Sequence, residues 1–187
     1  MTISTLDAHS ALIVIDLQKG IVSYPTVHPI AEVIDNSRVL IDAFRRHGLP
    51  IVLVNVTAGA PGRTEQARPA AERPADWAEL IPELDRQPGD HLVTKRTWGA
   101  FAHTDMEAYL RERGVTQVVL AGVATSIGVE STARQAYECG FHVTLAVDAM
   151  TDMNPDTHAN SVERIFPRLG ETGSAREIVD LLDRSRA

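Results

Sequence analysis

"ALIVID", residues 11–16, decides the fold. Its apolar residues run without a break to Asp16, leaving no face for water. Such a run reads as a strand covered on both sides, as strands of a parallel sheet are. "PIVLVNV" (50–56), "QVVLAG" (117–122) and "HVTLAV" (142–147) repeat the pattern, and "HLVTK" (91–95) reads as a shorter strand. Between them, apolar residues recur at helical spacing. Ile30, Val33, Ile34, Ile41 and Phe44 mark one helix, stopped by Gly48 and Pro50. Met106, Tyr109 and Leu110 mark another over about 104–113. A helix after Gly122 presents Val129, Ala133, Ala136 and Tyr137, with Gly140 as its C-cap. Asn154-Pro155 opens a further helix. Ser174 and Glu177 form a capping box before Ile178, Leu181 and Leu182. Strands alternating with helices predict an α/β fold, three layers α/β/α around a central, mostly parallel sheet.

A chain of 187 residues fits a single domain over 1–187 with one sizeable core. Its net charge of −7 argues against nucleic acid or an anionic membrane as partner. The single cysteine makes no internal disulfide, which fits a reducing cytoplasm. The N-terminus lacks the basic and long apolar regions of a signal peptide, and no apolar run approaches the ~20 residues of a membrane span. The expected partners are a small-molecule substrate and further copies of the chain, as a homodimer or higher homo-oligomer. Residues 57–90 are rich in proline, glycine and charge, with only "ADWAELIPEL" suggesting a short helix. A connection this long reads as a lid or interface loop, not a domain linker.

Ligands of open α/β sheets bind at the carboxyl ends of the strands, where three features fall. Asp16 ends the most apolar strand. Partial desolvation there raises a carboxyl pKa and suits proton transfer near neutrality, although an aspartate at that place also serves as a turn cap. Lys95 ends "HLVTK" and would orient the Asp16 anion if close, whereas most lysines are solvated surface residues. Gly128 stands in the first turn of the helix after "QVVLAG". Backbone N–H groups there suit a negatively charged oxygen. Glycine early in a helix costs up to ~1 kcal/mol against alanine, so it marks either a need for space or plain packing. His158, in "PDTHANSVERIF", reads as a helix-surface histidine, and Cys139 as a small packing residue.

"ALIVIDLQKG", "VTKRTWGAF" and "GVATSIGVESTARQAYECGFHVTLAVDAMTD" resemble, in order and spacing, the three signature blocks of the isochorismatase-like (cysteine hydrolase) superfamily. The resemblance covers essentially the whole chain. It implies a triad of Asp, Lys and Cys whose first two members fall on Asp16 and Lys95 and whose third falls on Gly128. It further implies a cis peptide between Val123 and Ala124, and substrate contacts from Gln18, Trp98, Phe101, Val123, Ala124 and Thr125. Amidases of this superfamily need the thiolate for an acyl-enzyme. Glycine cannot replace it, and Cys139 lies about three helical turns away, roughly 16 Å. Isochorismatases resemble this chain in carrying glycine there. In their reaction the aspartate protonates the methylene carbon of a vinyl ether, and water attacks the resulting oxocarbenium-like carbon.

Two departures bear on the substrate: Ala124-Thr125-Ser126 stands where isochorismatases tend to have Tyr-Ala-His, and Thr97 where they place an arginine. "VNVTAGAPGR" supplies none of the Asp/His metal ligands of nicotinamidases, so neither metal nor cofactor is expected. The chain is thus expected to be a hydrolase of a small metabolite, with vinyl-ether cleavage of an isochorismate-like substrate as the candidate reaction. Asp16 would be its acid/base, Lys95 the electrostatic partner, and Gly128 the space for water or substrate. The alternative is a catalytically silent member that binds a small ligand or serves an assembly. Loss of the cysteine without the full isochorismatase replacement set favours it, and retention of Asp16 and Lys95 opposes it.

Overall fold

The computed structural model describes residues 3–65 and 73–185, in which six strands form one parallel sheet. The strands are β1 (Ser10–Ile15), β2 (Ile51–Val56), β3 (His91–Lys95), β4 (Gln117–Val123), β5 (His142–Thr151) and β6 (Glu171–Gly173). Their order is β3-β2-β1-β4-β5-β6, and every neighbouring pair is parallel. The order reverses between β1 and β4, and such a switch point opens a crevice beyond the carboxyl ends of those two strands.

Side chains alternate across the sheet, as a period of two requires. Leu12, Val14 and Leu53 face a core shared with α2 (Ile30–Arg46) and α7 (Ala175–Ser185). Ala11, Ile13, Ile15, Val52 and Val54 face a second core with α3 (Met106–Glu112) and α4 (Glu130–Glu138). Shorter helices complete the layers: α1 (Lys19–Val22), α5 (Pro155–Asn160) and α6 (Phe166–Leu169). Among the described residues no helix is long and apolar enough to cross a membrane.

The structure departs from the sequence pattern in four places. β5 continues to Thr151, past the apolar run. A register irregularity pairs Leu120 with Leu145 but Gly122 with Met150, so part of the strand bulges and Asp148 is free to accept from Ala175 N at 2.7 Å. β6 is a further strand, too short and polar to register as one. Tyr137 is 54% exposed, because α4 packs through Thr132, Ala133 and Ala136, whose small side chains let it lie close to the sheet. "ADWAELIPEL" forms turns and a 3₁₀ segment over Pro82–Leu84, not a helix. Its backbone groups are spent on the chain after β1: Lys19 N on Glu79 O, Gly20 N on Trp77 O, and Ile81 N on Leu17 O. The segment therefore straps the start of α1. Within the expected lid, residues 66–72 lie outside the described residues.

Candidate active site

Asp16 leaves β1 with φ +53, in the left-handed region that few non-glycine residues adopt. That turn throws its carboxylate into the crevice at the switch point. Lys95 ends the edge strand β3, two strands away, and reaches across β2 to place Nζ 2.6 Å from Asp16 Oδ2. The same Nζ donates to Thr97 O at 3.3 Å. Lys95 is 2% and Asp16 5% exposed, so both charged groups have left water. Burial raises the Asp16 carboxyl from 3.8 to about 6, against the opposing pull of the Lys95 charge and hydrogen bond. Asp16 Oδ1 is buried and has no hydrogen-bond partner among the described residues. One oxygen is thus oriented by a cation while the other is uncommitted.

The far wall is the π-helical turn Thr125–Val129 between β4 and α4. Gly122 lets β4 enter it, with φ +116 and a virtual Cβ only 2.0 Å from Ile15 O, so no side chain fits. The Val123–Ala124 peptide is cis. At Gly128 a virtual Cβ would stand 3.3 Å from Asp16 Oδ2 and 2.9 Å from Ile15 Cγ2. Gly128 therefore lies beside the carboxylate. It allows the turn to approach β1 closely, however, and the room it leaves is cramped by Ile15.

Several expected contacts are placed differently. Gln18 is fully buried and its amide is consumed by backbone: Oε1 accepts from Val56 N at 2.7 Å, while Nε2 donates to Val56 O and Trp77 O at 3.1 Å each. It clamps β2 to the 77 segment and has no group left to offer a substrate. Trp98 is 62% exposed, on a turn held to α4 through Ala100 N on Thr132 Oγ1. Phe101 turns its ring to Phe141, at the amino end of β5 and away from Asp16. Val123, Ala124 and Thr125 do border the turn, but Ala124 O accepts from Ile127 N and Val129 N, and the buried Thr125 hydroxyl meets His158 Nδ1 at 2.9 Å.

His158 is therefore half-buried against the turn, not a surface residue, and burial together with nearby His28 lowers its pKa. Asp152 went unnoticed in the sequence. Its Oδ2 accepts from Ser126 N at 2.7 Å and its Oδ1 from Met153 N at 2.8 Å, so a built-in carboxylate already takes an N–H at the head of the turn. An acid just after a strand and just before Asn154-Pro155 was the available signal. Cys139 lies at the C-cap of α4, its thiol pushed up by burial and by Glu107. Among the described residues, no three His, Cys, Asp or Glu side chains gather as a metal would require.

A family model described as an isochorismatase domain matches residues 10–177. YwoC of Bacillus subtilis, an uncharacterized isochorismatase family protein, is 43% identical over 91% of this chain and 93% of its own. An isochorismatase family protein from Burkholderia thailandensis superposes with a TM-score of 0.93 at 37% identity, covering 97% of this chain and all of that one (100%). The ureidoacrylate amidohydrolase RutB of Agrobacterium fabrum is 32% identical over 66% of this chain and 64% of its own.

Proposed function

Since the chain belongs to the isochorismatase family of hydrolases, we propose that it transfers a proton from Asp16 and lets water attack its substrate directly, with no covalent intermediate. The observation that carries this is the Asp16 carboxyl itself. It is buried, raised to about 6, anchored through Oδ2 to Lys95, and open at Oδ1. A carboxyl titrating near neutrality is suited to give and regain a proton within one cycle. Position 128, beside it, is a glycine and so supplies no thiol to attack a substrate.

That combination favours a substrate made electrophilic by protonation. In an isochorismate-like vinyl ether, the Asp16 proton forms a C–H bond at the methylene carbon and leaves an oxocarbenium carbon. Water adds there, its proton returns to Asp16, and the hemiketal collapses to pyruvate and an alcohol. Hydrolysis of an amide, such as the ureido group named for RutB, would instead need a base-activated water and N–H donors for an oxyanion. The Ser126 N–H is already given to Asp152. Lys95 would hold Asp16 in place and favour the anion that its proton donation creates.

Isochorismate, ureidoacrylate and N-carbamoylsarcosine, incubated with the wild type and with Asp16→Ala, test the proposal. Release of pyruvate by the wild type alone is the expected result. Turnover confined to the carbamoyl compounds would move the reaction to amidohydrolysis. Binding without turnover across the panel would leave a ligand-binding member of the family.

A further inference from the structure

Two histidines outside the reacting centre meet behind the Gly128 turn. His158, in α5, hydrogen-bonds through Nδ1 to Thr125 Oγ1 at 2.9 Å, and Thr125 is fully buried three residues before Gly128. His28 lies on the loop that follows Asp16 and α1. Its backbone N and its Nδ1 lie 3.1 and 3.2 Å from Thr151 Oγ1, at the end of β5. Thr151 pairs in register with Val123 of β4. The two imidazoles touch edge to face, with centroids 4.7 Å apart and planes at 61°. The loop issuing from Asp16 and the helix bracing Gly128 are therefore joined through one histidine pair and two threonine hydroxyls.

We propose that His158, backed by His28, is a positioning residue for the Gly128 turn and holds it in register with Asp16 only while its own imidazole is neutral. A neutral imidazole leaves the Thr125 hydroxyl either direction of hydrogen bonding, whereas an imidazolium is a donor at both nitrogens. The groups acting on His158 are His28, which opposes its charge, and Asp152, which favours it. Asp152 also grips Ser126 N, so both groups act on the two adjacent residues at the head of one short turn. Acid would loosen the contact between the two walls independently of the titration of Asp16.

The proposal rests on the reading that this turn borders the reacting centre, but its test needs no turnover. Amide and histidine-ring NMR signals are followed from pH 8 to pH 5 in an Asp16→Asn background, which removes the carboxyl that titrates nearby. The Thr125–Gly128 amide signals should shift with the midpoint of the His158 ring, below that of a free histidine. Asparagine retains a polar group near the Nδ1 position, so His158→Asn should restore the neutral-form signals and abolish the titration. His158→Ala should displace those signals at every pH, and His28→Asn should raise the His158 midpoint. Should His158→Ala fail to fold, the two asparagine variants still decide. Turn amides that ignore the His158 titration, or that still titrate in His158→Asn, would overturn the proposal.

Discussion

Asp16 joins three properties that rarely coincide in a surface carboxylate: a left-handed backbone, one oxygen on a buried ammonium, and one oxygen without a partner. A pKa of about 6 fixes the direction of its pH dependence. If Asp16 donates the first proton, the active form of the free enzyme is the protonated one. Its kcat/KM should then fall as pH rises through about 6. A base would give the opposite limb, with activity lost on acidification, so a single pH profile separates vinyl-ether protonation from water activation. Asp16→Asn should keep the fold and cost ~10²-fold or more in turnover. Cys139→Ser should leave kcat unchanged, since Cys139 sits at the far end of α4, and a loss there would displace the site from Asp16.

At the scale of elements, β1 and the Thr125–Val129 turn are pressed together, and Gly128 is where they meet. A cysteine at 128 would bring its Cβ to 2.9 Å from Ile15 Cγ2 and its sulfur near Asp16. Gly128→Cys should lower stability in urea by ~1–3 kcal/mol, the usual cost of overpacking, and abolish native turnover. Its thiol, near a helix start, should react with alkylating reagents faster than Cys139, whose own thiol is pushed up. Mass spectrometry of the wild type quenched in turnover should show an unmodified chain. Unchanged turnover in Gly128→Cys would remove position 128 from the reacting centre. β1, β2, β4 and the start of β5 were legible in the sequence because burial on both faces leaves a continuous apolar run. Asp16 stands out by ending such a run, and Lys95 by ending the shorter, half-exposed β3. The Gln18 clamp, the strap at 77–81 and the His158–Thr125 bond were not, since each depends on partners far away in the chain and carries no periodic signal.

For the whole molecule, the buried ion pair affects stability as well as chemistry. Folding raises Asp16 from 3.8 to about 6, so between those values the native state holds a proton that the unfolded chain has released. Its contribution to stability therefore falls as pH rises from about 4 to about 6, then levels off, by ~3 kcal/mol in all. Urea unfolding of the wild type and Asp16→Asn across that range isolates the effect as a changing difference between the two. Replacing the pair with Asp16→Asn and Lys95→Met should give an inactive protein ~1–4 kcal/mol more stable at pH 8. Equal stability would mean the site stores no such cost.

The reversal of strand order between β1 and β4 also matters while the chain is being made. β2 follows β1 and covers one of its edges, with β3 outside it, but the other edge of β1 waits for β4. Since β1 ends at Ile15 and β4 begins at Gln117, 101 residues (16–116) separate the most apolar strand from its second partner. At ribosomal speeds that is roughly 5–20 s, during which a hydrophobic edge stands open to any neighbouring chain. Slower elongation over residues 16–117 should therefore lower the yield of native protein more than the same delay placed after residue 123, and a holdase chaperone should restore it.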